Sequence, residues 1–403
     1  MNNKLIKLLK RIKLRDIFAV LIFIFLFPIS LILRLYFKIF KKEIWLICES
    51  PNTASDNGYH FFKYVKEKHP EVLAYYVIKK NCLDYQKVKE YGNLIEWGSI
   101  KHWLYYLSAK YNISSQKGGN PNAALFYFLH VKLKLYNNRI FLQHGIIKDD
   151  LEWLYYKNTH FRKFICGAKK EYDYVTKTFG YPDGIFEYTG LARYDNLHNF
   201  KRDKKSILFI PTWREWLGKD KNVFAKGEDF LTTEFYKNWI NLLNDKRLHE
   251  YIEKNHIKIY FYPHINMQKY LEYFNVKCPN IEIVAKNDID IQSLLKTASL
   301  MVTDYSSVFF DFAYMKKPII YYQFDLEQFR KNQYREGYFK YERDGFGKVE
   351  KDVNDVVNDI IKYIDNDYKV EDKYLKKMND FFEIHDTNNC ERIFKAIKSI
   401  KEG

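Results

Sequence analysis

The sequence lacks several features that mark whole classes of protein. Its five cysteines are scattered over 403 residues without a CxxC pair, which argues against a zinc ribbon or a disulfide framework and fits a reducing compartment. Glycine and proline are few, at 16 and nine residues, and aromatic residues make up 18% of the chain, so it is neither disordered nor fibrous. Internal repeats and low-complexity tracts are absent as well. What remains is a globular protein that is long enough to form two domains, each with its own core.

Several catalytic and nucleic-acid-binding signatures are missing too. The chain has no P-loop, GxSxG elbow, HExxH motif or paired carboxylates, and no RNA- or DNA-binding motif. Its one match to a metal-binding DxD motif is Asp288-Ile289-Asp290, which directly precedes an expected helix. We interpret Asp290 as the N-cap of that helix rather than as a metal ligand. The sequence therefore predicts no nucleic-acid partner and no metal site.

Acidic residues are nearly absent from the first 42 positions. This segment holds ten Lys or Arg and a single acid, Asp16, so it carries +9 of the formal net charge of +16. Residues 17–33 form an uncharged run that contains Pro28, at the low end of the length needed to span a bilayer. Basic residues flank the run on both sides, whereas a spanning helix has its positive charge on the cytoplasmic side. We expect residues 1–42 to attach to an anionic membrane surface from the cytoplasmic side. The alternative is a buried helix of the folded domain.

From residue 43 onward, short apolar runs alternate with amphipathic stretches, a pattern typical of parallel sheets with helical crossovers. The basic connector 201–205 separates two expected Rossmann-like domains, 43–200 and 201–403, the second of which ends in helices. Two such domains that face a cleft make an α/β, glycosyltransferase-B-like architecture. The expected strands are 44–48, 72–78, 94–97, 111–114, 139–143, 207–211, 257–262, 281–284, 300–302 and 318–322.

The most informative stretch runs through residues 294–312. A short apolar run at 299–302 is typical of a strand that is buried on both faces. Hydroxyls and one carboxylate follow at 303–307, and apolar residues then recur at helical spacing. Hydroxyls between the carboxyl end of a parallel strand and a helix can form a phosphate cradle. The alternative is that Ser306 or Asp304 only caps the helix, and spacing alone leaves both interpretations open.

Two histidines each follow a predicted strand, one in each expected domain. His144 precedes Gly145, and an imidazole there can accept a proton from an attacking alcohol while glycine lets a ligand approach the backbone. His264 follows Pro263 in the second domain and can donate a hydrogen bond to a phosphate. Taken alone, the His-Gly pair favours a structural role for His144, and the alternative for His264 is a strand-end cap or a surface residue.

These stretches together resemble the CDP-glycerol glycerophosphotransferase family, the teichoic-acid and capsule polymerases and primases of bacteria. The resembling blocks cover roughly residues 43–385 in the order of the family. They are Gln143-His144-Gly145, Gly190-Leu191-Ala192-Arg193-Tyr194-Asp195, Pro211-Thr212-Trp213-Arg214, Pro263-His264, and Thr303-Asp304-Tyr305-Ser306-Ser307 with Asp311-Phe312, Lys317-Pro318-Ile319-Ile320 and Asp325. The chain departs from the pattern after Gly145, where many members have Thr-Pro and this sequence has Ile146-Ile147.

The resemblance implies a metal-independent transferase that needs no cofactor. Its donor would be a CDP-alditol such as CDP-glycerol or CDP-ribitol, and its acceptor a hydroxyl on a lipid-linked saccharide or polymer. The resemblance also implies that His144 acts as the base and that His264 contacts the donor pyrophosphate. The expected donor-binding residues are Arg214, Thr303, Asp304, Ser306, Ser307 and Arg335, and the expected supporting residues are Gly145, Arg193, Asp195 and Asp311. We expect Asp304 to orient its loop, and Arg193 and Asp195 can instead form an ion pair between the domains.

Two other functions remain open at this level. The first is a nucleotide-sugar glycosyltransferase of the same architecture, which would differ in its donor. The second is a membrane-bound, non-catalytic scaffold with a degenerate transferase fold. The sequence also leaves open glycerol against ribitol, priming against polymerisation, and wall teichoic acid against capsule.

Overall fold

The computed structural model describes residues 13–135, 138–218, 227–285 and 288–400. The strands are β1 (Ile44–Cys48), β2 (Leu73–Ile78), β3 (Leu94–Glu96), β4 (Tyr111–Ser114), β5 (Arg139–Phe141), β6 (Asp149–Asp150), β7 (Lys163–Cys166), β8 (Phe186–Tyr188), β9 (Asp203–Ile210), β10 (Lys258–Phe261), β11 (Ile281–Ile283), β12 (Ala298–Thr303), β13 (Ile319–Tyr322), β14 (Arg335–Glu336) and β15 (Gly347–Glu350).

The helices lie mostly between successive strands, as crossover connections require. They are α1 (Leu14–Ile39), α2 (Asn57–Lys68), α3 (Tyr85–Lys89), α4 (Ile100–Ser108), α5 (Ala123–Tyr127), α6 (Tyr156–Thr159), α7 (Lys169–Thr178), α8 (Glu215–Gly218), α9 (Gly227–Leu231), α10 (Glu234–Leu243), α11 (Lys246–Lys254), α12 (Ile291–Thr297), α13 (Phe309–Tyr314), α14 (Leu326–Asn332), α15 (Tyr341–Asp344), α16 (Val353–Asp365), α17 (Asp372–Phe381) and α18 (Asn389–Lys398). A π-helical turn, Phe128–Lys132, continues α5, and three 3-10 helices cover Glu152–Leu154, Ala192–Asn196 and Ile265–Tyr273.

Two parallel sheets organise these elements. The first has the strand order β3-β2-β1-β4-β5-β7-β8 and the second has the order β11-β10-β9-β12-β13-β15. Their central strands β1 and β12 are buried at every residue, which explains their continuous apolar sequences. The expected pair of Rossmann-like domains is confirmed. A separate antiparallel pair, β6 with β14, joins the loop after Gly145 to the second half of the chain.

The last helix crosses back to the first sheet. Phe394 of α18 packs on Trp45 of β1 with ring centroids 5.1 Å apart, and Cys390 belongs to the same buried cluster. Asp195 holds the start of α18, because its carboxylate accepts hydrogen bonds from the backbone N–H groups of Asn389 and Cys390 at 2.8 and 2.9 Å. The expectation that the terminal helices belong to the second domain is therefore wrong for α18, which packs on the first sheet.

Helix α1 lies along the first domain instead of projecting from it. Near its start, Asp16 accepts a hydrogen bond from Asn122 at 3.0 Å, and near its end Phe37 packs edge-on against Tyr105 of α4. One stripe of the helix is buried and the helix continues through Pro28. By length and composition, α1 is the one helix in the described ranges that is able to cross a membrane. Lys10 and Arg11 of the preceding basic flank lie outside the described residues.

Candidate active site between the two sheets

The carboxyl ends of the two sheets face each other across a cleft, the usual ligand site of open α/β sheets. At one point of this cleft, the turn after β5 approaches the loop after β12. A Cβ atom built on Gly145 would lie 3.2 Å from the Ser307 hydroxyl oxygen, so glycine allows the two loops to come together. Gly145 and Ser307, which were both predicted as site residues, thus lie on opposite walls of one cleft.

The residue before His144, Gln143, has a strained backbone and makes two hydrogen bonds that hold it in place. Gln143 has a φ of +49°, a conformation that non-glycine residues rarely adopt. Its carbonyl accepts a hydrogen bond from Asn57 at 2.7 Å, and its side-chain amide donates to the Ile165 carbonyl at 2.7 Å. These bonds hold the Gln143 backbone while the His144 side chain remains exposed.

The surroundings of His144 favour its neutral form. Desolvation by the dense cleft walls lowers the pKa of the imidazole, nearby Asp56 raises it, and Arg193 lowers it further. The backbone of Ser115 also raises the pKa of the imidazole. A neutral imidazole has one ring nitrogen without a proton, and this nitrogen can accept one. The arrangement suits a general base.

A buried carboxylate fixes the backbone just beyond the His144 turn. Glu171 of α7 accepts hydrogen bonds from the N–H groups of Ile147 and Gly167 at 2.6 and 2.7 Å. Burial raises the pKa of Glu171 to about 7, while these two N–H donors lower it. Glu171 was not predicted as part of the site, because its bond to Ile147 joins residues that are 24 positions apart in the chain.

Arg193 connects the two walls of the cleft. Its Nε and Nη2 donate to the two carboxylate oxygens of Asp311, each at 2.7 Å. Its Nη1 donates to Asp56 at 2.7 Å and to the carbonyl of His144 at 3.0 Å. The side chain is 4% exposed. Arg193 thus forms an ion pair between the domains with Asp311 and a second pair within the first domain with Asp56. Asp195 caps α18 instead.

Two acids that follow β1, Glu49 and Asp56, complete this wall, and neither was predicted from the sequence. Asp56 is the N-cap of α2, where its carboxylate accepts the N–H of Asn57. Burial raises the pKa of Asp56, while Arg193 and His144 lower it. Glu49 accepts N–H groups from Ser55, Asp56 and Tyr59 at 2.8–3.0 Å. The sequence feature that could have identified Glu49 is its position directly after the buried strand β1.

His264 presents a hydrogen-bond donor from the second wall. Its Nδ1 accepts the backbone N–H of Asn266 at 3.2 Å, so the proton of the neutral ring lies on Nε2. The ring stacks on Trp213 with centroids 5.9 Å apart and planes at 23°. Burial lowers the pKa of His264 to about 4, so the ring is neutral at physiological pH. The Nε2–H group of the neutral ring can donate a hydrogen bond to a phosphate oxygen.

The hydroxyl cluster after β12 divides into a buried part and an accessible part. Thr303 is fully buried and donates to the carbonyl of Ile210 at 2.7 Å, so its hydroxyl belongs to the sheet rather than to the cleft. This placement differs from its expected contact with the donor. Ser306 and Ser307 are half-buried, and α13 begins two residues later at Phe309. They are the two hydroxyls of this cluster that a ligand can reach.

Asp304 and Arg214 form a buried pair below this loop. Asp304 accepts the N–H of Thr212 at 2.8 Å and lies 2.9 Å from the guanidinium of Arg214, as expected of a loop-orienting residue. Arg214 also donates to both carboxylate oxygens of Asp325 at 2.7 and 2.9 Å. No part of its side chain is exposed. The expected bidentate contact between Arg214 and a phosphate is therefore unavailable in this structure, because two acids already occupy the guanidinium.

Arg335 lies on β14, outside the group formed by the histidines and serines. Its backbone pairs with Asp150 of β6, and its side chain is exposed. Beside this pair, Arg330 donates to Asp149 at 2.5 Å and Lys148 is buried against the same carboxylate. The pair of short strands is thus a second charged connection between the two halves of the chain.

Both acids of the DxD sequence accept backbone hydrogen bonds. Asp290 caps α12 by accepting the N–H groups of Gln292 and Ser293 at 3.3 and 3.2 Å, which confirms the N-cap prediction. Asp288 accepts the N–H of Ala285 at 3.0 Å. Within the described part of the chain, no group of three or more His, Cys, Asp and Glu side chains is placed to hold a metal ion.

Comparison with known proteins assigns the chain to a family. The family model for CDP-glycerol:poly(glycerophosphate) glycerophosphotransferase matches residues 29–399. The minor teichoic acid biosynthesis protein GgaB of Bacillus subtilis (strain 168) is 36% identical over 373 residues, 90% of this chain and 40% of that protein. The teichoic acid poly(glycerol phosphate) polymerase of the same organism is 25% identical over 391 residues, 85% of this chain and 47% of that protein. The chain thus spans less than half the length of these two relatives.

A solved structure shares the fold. The wall teichoic acid polymerase TagF superimposes with a TM-score of 0.64 over 93% of this chain and 97% of that chain, at 15% identity. The two sheets and their shared cleft therefore belong to a known architecture. Because the family model covers most of its length, this chain belongs to the CDP-glycerol:poly(glycerophosphate) glycerophosphotransferase family.

Proposed function

We propose that this chain transfers glycerol phosphate, or another alditol phosphate, from a CDP-activated donor to a hydroxyl of a lipid-linked acceptor. The observation that carries the proposal is the approach of the His144-Gly145 turn to Ser307 across the cleft. It brings a proton acceptor from one sheet to a pair of accessible hydroxyls from the other. The family and the teichoic-acid relatives support the same chemistry.

The reaction is an in-line displacement at phosphorus. The neutral imidazole of His144 takes the proton of the acceptor hydroxyl, and the acceptor oxygen attacks the β-phosphorus of the donor. A phosphodiester forms, the bond to the bridging oxygen breaks, and CMP leaves. The Nε2–H of His264 and the hydroxyls of Ser306 and Ser307 donate to phosphate oxygens. No metal ion and no cofactor take part in this scheme.

Arg193 and Arg214 support this chemistry without contacting the substrate. Arg193 ties Asp56 and the His144 carbonyl to Asp311 of α13, so it sets the distance between the base and the Ser306-Ser307 loop. Arg214 ties Asp304 to Asp325 and thereby fixes the ends of β12 and β13. We reassign Arg214 from donor binding to positioning.

The enzyme acts at the cytoplasmic face of the membrane, to which α1 attaches it. Fifteen of the 24 large apolar side chains exposed in the described ranges lie at 14–40. Because α1 packs against the domain at both its start and its end, a crossing would carry part of the domain into the bilayer. The helix instead lies in the interface with its apolar face in the lipid. Its start contacts the loop after β4 through the hydrogen bond between Asp16 and Asn122.

A panel of donors tests the proposal. Purified full-length chain is incubated with CDP-glycerol, CDP-ribitol and a UDP-sugar, with a lipid-linked acceptor, and the released nucleotide is measured. Release of CMP from a CDP-alditol, with a new phosphodiester on the acceptor, is the expected result. Release of UDP alone would favour a nucleotide-sugar glycosyltransferase. Binding of acceptor without any turnover would favour a non-catalytic scaffold.

A further inference from the structure

A large positive cavity lies at the amino-terminal edge of the first sheet. Its volume is about 940 Å³, and it is bounded by the end of α1 and by the residues that precede β1, β4, β5 and β7. Six cationic side chains line it: Arg34, Lys38, Lys41, Lys42, Lys110 and Arg162. Glu43 is the one acid in this lining, and it is paired with Lys110 at 2.6 Å and with Lys398 at 2.9 Å.

The end of α1 places two of these lysines at the cavity. The N–H of Lys42 donates to the Phe37 carbonyl at 2.8 Å and the N–H of Lys41 donates to the Lys38 carbonyl at 3.2 Å, the hydrogen-bond pattern of a Schellman motif. Lys41 has a φ of +53° at the position where glycine is usual. The Lys41 and Lys42 side chains are exposed.

Exposed apolar side chains accompany the residues that line this positive cavity. On α1, Leu35 and Ile39 directly follow the lining residues Arg34 and Lys38, and Ile39 is 65% exposed. On the other side, exposed Leu135 lines the cavity, and Phe128, which is 51% exposed, lies two residues before the lining residue His130. We call these two groups the apolar ridges. A soluble anion needs a positive cavity but gains nothing from apolar ridges beside it. A phospholipid has a negative headgroup for the cavity and acyl chains for the ridges.

The cavity is distinct from the catalytic cleft. It includes Ile44 at the start of β1 and Tyr111 at the start of β4, whereas His144 and Ser307 lie beyond the carboxyl ends of strands. Strand β1 has five residues, which separates the two edges by ~16 Å. We propose that the cavity binds the headgroup of an anionic bilayer phospholipid and thereby fixes the depth and tilt of α1 in the interface. This inference rests on the proposed membrane attachment.

Vesicle binding by the full-length chain tests the proposal. The probes are phosphatidylcholine vesicles with and without phosphatidylglycerol, and the variants are Lys41→Gln with Lys42→Gln and, as a control of equal charge change, Lys246→Gln with Lys254→Gln on α11. The cavity variant should lose at least tenfold in affinity for the anionic vesicles and almost nothing for neutral ones. The control should keep its affinity. Equal losses in both variants would mean diffuse attraction and would overturn the site.

Titration with soluble compounds separates a lipid site from a phosphate site. Short-chain phosphatidylglycerol below its micelle concentration should bind the full-length chain with one saturable site, and the cavity variant should lose it. Binding of inorganic phosphate or glycerol phosphate with equal affinity would overturn the lipid assignment. CMP release from a soluble acceptor should be the same in all variants. Lipid binding that persists in a chain without transferase activity would contradict the proposed function and leave the headgroup site intact.

Discussion

Arg193 and Asp311 form a two-bond pair across the cleft, with Nε and Nη2 of the guanidinium each 2.7 Å from a different carboxylate oxygen. The remaining nitrogen of Arg193 contacts Asp56 and the carbonyl of His144. A single buried side chain therefore connects the proposed base to the helix that follows the proposed phosphate loop. The planar guanidinium of arginine can donate two parallel hydrogen bonds to one carboxylate, whereas the ammonium group of lysine lacks this fork geometry.

The first prediction concerns this pair. Arg193→Ala leaves the buried Asp311 and the half-buried Asp56 without this partner and should lower the free energy of unfolding by roughly 3–5 kcal/mol. Arg193→Lys keeps the charge but loses the fork, so it should fold more stably than the Ala variant and still turn over slowly. Chemical denaturation and kcat measure the two effects. An Arg193→Lys variant with parental kcat would show that the two-bond contact does not position His144.

The second prediction concerns the base. His144→Ala should lower kcat by roughly two to four decades without loss of folding, because the exposed ring makes little contribution to the core. His249→Ala, which removes a half-buried histidine on α11, is the matched control and should retain full turnover. Circular dichroism and steady-state CMP release give the comparison. Near-parental turnover by the His144 variant removes this residue from the mechanism.

The third prediction concerns pH. A base works when it is neutral, and the pKa of His144 is lowered, so the rate should fall only when the pH drops below the ordinary histidine range near 6.5. Asp56 raises the pKa of His144, so Asp56→Asn should move the acid limb of kcat/KM to still lower pH. An acid limb that moves upward in this variant contradicts the assigned electrostatics.

The fourth prediction compares the hydroxyl of Thr303, the last residue of β12, with that of Ser307 in the loop that follows. Ser307→Ala should weaken CDP binding by about 1.5–3 kcal/mol, the worth of a hydrogen bond to a charged group. Thr303→Ala should leave CDP affinity unchanged and cost about 1 kcal/mol of stability, because its hydroxyl donates to the Ile210 carbonyl inside the sheet. Calorimetric titration with CDP and thermal unfolding provide the two readouts. An equal loss of CDP affinity in the two variants would contradict the assignment of Ser307 as the hydroxyl that contacts the phosphate.

The fifth prediction concerns metal ions. Asp290 is committed to the N-terminus of α12 and Asp288 to the N–H of Ala285, so EDTA should have little effect on turnover. A strict requirement for magnesium would contradict this, and turnover of an Asp288→Asn variant at varied magnesium would then show whether the motif takes part.

The sequence predicted elements best where the local pattern was continuous. Strands β1 and β4 were predicted at their observed bounds because each is a short run that is buried throughout. Strands β7 and β15 were missed because each includes charged residues. Lys163 lies in β7, where it donates to the Gly184 carbonyl and pairs with Glu187, and neither contact is visible in the local sequence.

Residue types were predicted better than their partners. Arg214 has the chemistry to bind a phosphate, but its burial is set by Asp304 and Asp325, about 90 and 111 positions further along the chain. Asp195 was predicted as a supporting site residue, with an ion pair between the domains as the alternative, yet it caps a helix 194 positions away. Such pairings depend on how the two sheets pack together, which no local pattern encodes.

The account depends most on the claim that the cleft transfers an alditol phosphate with His144 as the base. The direct measurement is the simultaneous assay of CMP release and phosphodiester formation on a lipid-linked acceptor, for the parental chain and for His144→Ala. The account predicts that the parental chain forms both products in equal amounts and that the variant forms neither above background. Equal turnover of the two proteins, or CMP release without a new phosphodiester in the parental chain, would contradict it.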